Sequence, residues 1–171
     1  MAATATFVPV EEYLSTTYRP DCDYVDGVLE ERHVGQKDHS SFATGIPIWF
    51  WARRKSLRLK AFAELRIQVE PGRYRVPDVS VVKTPVPDEQ ALTSPPYIVI
   101  EILSPEDTFG KLRERLDDYL AFGVPNIWVI DPSGRAWTFT HRGLEHAMDA
   151  TLRSADGMVE LPLAGIGSID A

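Results

Sequence analysis

A chain of 171 residues with 44% hydrophobic and 25% charged side chains has room for a real core, which excludes disorder over its whole length. Its net charge of −7 argues against a protein that coats nucleic acid by bulk electrostatics, but not against an enzyme with acidic metal ligands and local basic patches. The single cysteine, Cys22, excludes an intrachain disulfide and a cysteine-rich zinc site, and no apolar run approaches the roughly 20 residues of a membrane span.

The first residues lack the basic-then-apolar pattern of a secretory signal, so a cytoplasmic setting away from membranes is the expectation. Residues 9–18 read as a short helix on the spacing of Val10, Tyr13 and Leu14, with Glu11 and Glu12 in its first turn. Asp26-Gly27 predicts a tight hairpin turn between two short strands in 23–31. Asp38 is the expected N-cap of a helix running to about Lys55, which Pro47 should break or kink. The apolar Trp49–Trp51 segment within it reads as core or as a dimer contact.

Strands are expected over Leu59–Val69, Tyr74–Val82 and Tyr97–Leu103, with a proline-rich loop, 85–96, before the last of them. Residues 106–122 give the clearest helix, with Phe109, Leu112, Leu116, Tyr119 and Leu120 on one stripe and Gly123 and Pro125 at its end. Ile127–Ile130 is a further strand, parallel to 97–103 through a helical crossover. The turn at Pro132-Ser133-Gly134 leads into Arg135–His141, and weaker strand signals follow at Leu144–Met148 and Met158–Leu161. The expected architecture is α/β: one domain over 1–171, with a mixed sheet and flanking helices, its core over about 10–140 and an extension over 141–171.

Glu101 is the chemical oddity, a carboxylate inside a strand otherwise apolar enough to be central. Alternation places it on the face of Tyr97, Val99 and Leu103, opposite three isoleucines. A buried carboxylate needs a partner or a metal. Two readings stand. Asp78, next to Pro77 on an adjacent strand, can converge with Glu101 and seat a divalent cation, or Glu101 can pair with Arg75 or Arg115. Glu64 and Glu31 are weighed as additional acids, with a solvent-facing role for Glu64 as the simpler reading. Asp131 before Pro132 reads as a turn former, and His141 and His146 lack a ligand partner.

Pro77-Asp78, Glu101, Ser104-Pro105, Tyr119 and Trp128-Val129-Ile130-Asp131-Pro132, in that order, resemble the Uma2 family of the PD-(D/E)xK nuclease superfamily. Tyr24-Val25-Asp26-Gly27 and His39 extend the match, which covers roughly 10–140. The resemblance implies a restriction-endonuclease-like core and a Mg²⁺- or Mn²⁺-dependent endonuclease acting on nucleic acid, with DNA as the expected substrate. Asp78, Glu101 and the carbonyl of Ile102 would hold metal, and His39 would either contact substrate or make a local hydrogen bond at the helix start. The superfamily's lysine position, two residues after Glu101, holds Leu103 here. The family's alternative position, four residues before the tyrosine, holds Arg115, with Lys111 one turn earlier. These departures keep a rival open, a non-catalytic module of the same fold that binds nucleic acid or protein. One site per small domain and two strands per duplex make a homodimer the expected assembly.

Overall fold

The computed structural model describes residues 7–32 and 35–166. Its elements in chain order begin with α1 (Val10–Ser15), β1 (Cys22–Val25), β2 (Val28–Glu31), α2 (Lys37–Leu57), β3 (Leu59–Ala63), β4 (Ile67–Glu70), β5 (Arg73–Arg75) and β6 (Val79–Lys83). They continue with β7 (Ile98–Ile102), α3 (Phe109–Phe122), β8 (Asn126–Ile130), β9 (Ala136–Thr140), β10 (Gly143–His146), β11 (Thr151–Arg153) and β12 (Glu160–Pro162).

The main sheet has six strands in the order β10-β9-β8-β7-β6-β3, and only β7 and β8 run parallel, joined through α3. A second sheet, β2-β1-β5-β4, packs beside it, and β11 and β12 form a separate hairpin. This is the mixed α/β architecture expected from the crossover and hairpin signals. The β1–β2 turn is the Asp26-Gly27 pair, with φ of 50° and 90°, the sign that a two-residue hairpin of matching twist requires at both positions.

Two expected strands are each divided between the sheets. The segment 59–69 breaks at Glu64, where φ is 50°, into β3 of the large sheet and β4 of the small one. The segment 74–82 breaks at Pro77-Asp78 into β5 and β6, because a proline cannot donate to a ladder. The two crossings meet, with Glu64 N–H donating to the Asp78 carbonyl at 3.2 Å. Asp78 therefore lies at the junction of the two sheets.

Each face of the main sheet carries one long helix. Phe42, Ile46 and Phe50, four residues apart, lay α2 on Val79, Val81, Ile98, Ile100, Ile102, Trp128 and Ile130. Leu152, Val159 and Leu161 of the β11–β12 hairpin close the same core. On the other face Leu112, Leu116 and Tyr119 of α3 meet Val82, Val99, Ile127 and Val129, with Ile67 and Val69 of β4. Tyr97 departs from the expected alternation and joins the α2 side.

Several boundaries differ from expectation. The first helix spans Val10–Ser15 rather than 9–18. α2 runs through Pro47 without interruption, because its buried row decides the helix and the proline costs one backbone bond. It starts at Lys37 after Gln36, so Asp38 sits in the first turn and favours the helix start by its charge rather than as a cap. α3 starts at Phe109 behind a Thr108 side chain that accepts from Lys111 N–H, which leaves Phe109 in the first turn and 73% exposed.

Candidate active site

The register of the main sheet brings the two acids together. β6 and β7 pair Val79 with Ile100 and Ser80 with Val99 in antiparallel fashion, and one further step sets Asp78 opposite Glu101. Glu101 is 1% exposed. Its Oε1 accepts from the Tyr119 hydroxyl at 2.7 Å, and its Oε2 accepts from Arg32 Nη2 at 2.9 Å. Asp78 accepts from Ile102 N–H through Oδ2 at 2.6 Å, and Arg32 Nη2 also reaches its Oδ1 at 3.3 Å. The two carboxylates thus share a single guanidinium nitrogen.

Five parts of the chain supply this centre. Arg32 follows β2, His39 comes from the start of α2, and Asp78 precedes β6. Glu101 is the one charged residue of β7, next to its last residue Ile102, and Arg115 and Tyr119 stand one turn apart on α3. His39 Nε2 lies 3.5 Å from Asp78 Oδ1. Arg115 Nε lies 3.5 Å from Glu101 Oε2, and its Nη2 donates to Asp107 Oδ1 at 2.9 Å.

The electrostatics follow from these contacts. Burial alone would raise the Asp78 carboxyl, but His39, Arg32 and the Ile102 N–H hold it below the usual carboxylate range. The hydrogen bond to Asp78 pushes His39 up against the opposing effect of burial. Burial, reinforced by Glu101, keeps the Tyr119 phenol protonated and so a donor. Burial works against the charge on Arg32, and the carboxylates of Glu101 and Asp78 outweigh it.

A cavity of about 30 Å³, the size of one water, opens on this centre and is lined by Arg32, His39, Asp78, Ile102, Lys111 and Arg115 among others. Ile102 reaches it while its side chain lies in the core on the α2 side. Beyond Arg32, His39 and Asp78 lies a larger open groove of about 880 Å³, with Arg19, Ser40, Thr44 and Glu64 also on its walls.

The remaining sequence candidates sort by position. Arg115 is 8% exposed and therefore buried, not merely bordering the apolar stripe, whereas Lys111 is exposed on the cavity rim. Glu31 is exposed at the same cavity, and Glu64 is exposed in the groove. Asp131 makes a turn, accepting from Ser133 N–H at 2.8 Å. His141 and His146 are exposed on the hairpin side of the sheet, away from the acids.

Arg75 does not pair with Glu101. It is 1% exposed and bonds Asp23, Glu30, Glu114 and Asp118, which ties the β1–β2 hairpin to α3. Sequence reasoning missed Arg32, because nothing in a hairpin-end arginine announces a partner 69 residues away. Its one available signal was position, directly after the second strand of the hairpin.

The sequence pattern of the Uma2 family, described as "Putative restriction endonuclease", matches residues 10–164. The chain belongs to the Uma2 family. The match reaches past the expected core into the β11–β12 hairpin, in keeping with that hairpin's share of the core. No curated protein matches. A crystal structure from Anabaena variabilis, described as a "putative nuclease belonging to DUF820", superposes with a TM-score of 0.78 at 22% identity, covering 94% of this chain and 97% of that one. That likeness establishes the shared fold. The DrdV–DNA complex aligns over 78% of this chain and 12% of its own, at 16% identity and a TM-score of 0.46, too distant to bear on this chain.

Proposed function

We propose that this Uma2 protein is a divalent-metal-dependent endonuclease that hydrolyses nucleic acid phosphodiester bonds, with DNA as substrate. The observation that carries the reading is the convergence of Asp78 Oδ1 and Glu101 Oε2 on one cationic nitrogen, of a group that with Asp78 lines an open groove. Each acid's other oxygen is already tied down, by Ile102 N–H and the Tyr119 hydroxyl. The two oxygens that remain suit a hard cation in kind, and Arg32 stands in for its positive charge. Among the described residues no group of three or more His, Cys, Asp or Glu is placed to hold a metal, so the ligand set would be these two acids, the Ile102 carbonyl and water.

The chemistry that bound Mg²⁺ or Mn²⁺ supplies is charge stabilisation on the phosphoryl oxygens and acidification of a water. The chain's own residues do the rest. Tyr119 and the Ile102 N–H fix the orientation of the two carboxylates, which spares reorganisation during the reaction. Arg115, or Lys111 on the rim, places a permanent positive charge beside the phosphoryl group in its transition state. His39, whose pKa the hydrogen bond to Asp78 raises, lines the groove, where its ring would donate to a phosphate oxygen. A twofold dimer would present two such sites to a duplex, with exposed Ile48 and Trp51 of α2 as its contact, and light scattering at tens of micromolar tests it.

Two observations favour a second reading. Arg32 fills the seat between the acids, and half-buried Leu103 packs against the core where the superfamily's lysine would sit. A nucleic-acid-binding module without activity could keep both features. The deciding experiment incubates plasmid DNA and a structured RNA with the protein in Mg²⁺, Mn²⁺ or chelator. Metal-dependent cleavage that disappears in Asp78→Asn and Glu101→Gln supports the enzyme. Cleavage that survives both substitutions refutes the assigned site. Nucleic acid binding without cleavage favours the module.

A further inference from the structure

Arg32 spends its guanidinium unusually. One nitrogen, Nη2, serves both Asp78 and Glu101, while Nη1 is buried with no partner among the described residues. Arg115 Nε is likewise buried without a hydrogen bond among them. Two fixed guanidinium charges, with His39 beside Asp78 and Asp107 beside Arg115, thus already compensate the two acids without any metal. Adding a divalent ion while Arg32 stays would place like charges a few ångströms apart in a low-dielectric site. One cation has to leave.

Arg115 is the worse candidate to leave. Asp107 anchors it at 2.9 Å, and it lines only the small cavity. Arg32 lines both the small cavity and the open groove, and among the described residues its side chain hydrogen-bonds the two acids alone. Rotation of its side chain toward the groove would surrender those two contacts alone, and an incoming ion would replace both.

We propose that Arg32 is the resting occupant of the metal seat, competing with a divalent ion for Asp78 and Glu101 and moving into the groove when the ion binds. The inference rests on the metal reading above and deepens it. In the groove the freed guanidinium, with Nη1 now able to find an acceptor, faces the phosphates of the substrate strand. Metal and nucleic acid then bind with positive coupling, because phosphate stabilises the displaced arginine, and by linkage each tightens the other. Arg32 is a positioning residue in this scheme, one that keeps the protein from loading metal without substrate.

The test is Mn²⁺ binding without nucleic acid, followed by calorimetry and by the loss of the free-ion paramagnetic resonance signal. Wild-type protein is compared with Arg32→Gln and Arg32→Lys, and Glu101→Gln reports on the seat itself. The expected result is Mn²⁺ binding about tenfold tighter or more in Arg32→Gln, with Arg32→Lys in between because the shorter side chain keeps the charge but brings it less closely to the two acids. Mn²⁺ should also raise the melting temperature of Arg32→Gln more than that of the wild type. A merely structural arginine would weaken metal binding when removed. Should Arg32→Gln fail to fold, the Arg32→Lys affinity decides alone, tighter than wild type in support and equal or weaker against. Wild-type binding that is lost in Glu101→Gln but unchanged or weakened by the Arg32 substitutions overturns this proposal and leaves the metal site standing. No Mn²⁺ binding by any form overturns both.

Discussion

Replacing Tyr119 by Phe removes one hydroxyl and leaves the ring in the α3 core. That hydroxyl donates at 2.7 Å to Glu101 Oε1, inside a site where Glu101 is 1% exposed. A hydrogen bond to a charged group contributes about 1.5–3 kcal/mol, and an acceptor left bare in the interior has no water to replace it. The expected loss is therefore about 2 kcal/mol. In a protein of this size that lowers the melting temperature by about 4–8 °C. Urea denaturation should show the midpoint falling at unchanged slope. Combining it with Glu101→Gln makes the argument specific, since a neutral amide accepts a weaker bond and Tyr119→Phe should then cost roughly half as much. A loss under about 0.5 kcal/mol in the wild-type background, or full additivity of the two substitutions, would refute the claim that Tyr119 holds Glu101 in place.

The helix cations separate by burial: in a cleavage assay Arg115→Lys should keep or raise the rate, and exposed Lys111→Ala should be near neutral. A drop of about 10²–10³-fold in Lys111→Ala would instead assign the transition-state charge to Lys111. Arg75→Met should cost about 3–5 kcal/mol by urea denaturation, because it leaves the buried Asp23 carboxylate facing a lost cation, and a cost below about 1 kcal/mol would contradict that. In the metal-free protein, the His39–Asp78 pair gives stability a defined pH dependence. His39 is raised above its ordinary 6.5, so its contribution is complete below that value and disappears as pH rises through the folded-state pKa. Asp78 is lowered, so its share persists until pH falls through its depressed pKa. His39→Ala should therefore cost more near pH 6 than near pH 9, and equal costs would argue against the pair.

The local devices of this chain were legible in its sequence. Asp26-Gly27 encodes its own turn, the stripe of Leu112, Leu116 and Tyr119 encodes α3, and the isoleucines of β7 encode a buried face. Those signals depend on neighbours within a few residues, so periodicity and φ preference suffice to read them. Glu101 stood out for a related reason, a carboxylate being conspicuous in an apolar strand, and Asp78 stood out as the acid beside Pro77 on a neighbouring strand. Other features were settled only by tertiary packing. The division of 59–69 and 74–82 between two sheets depends on where each half finds a partner strand, which a β-rich run does not record. The continuity of α2 through Pro47 depends on the sheet beneath Phe42, Ile46 and Phe50, which outweighs one missing backbone bond. Arg32 is the sharpest case. Its approach to Asp78 and Glu101 exists because the small sheet, locked to α3 through Arg75, delivers the end of β2 to the junction. Charge pairing across such a separation is a property of the assembled fold, since an arginine carries the same donors wherever the chain happens to place it.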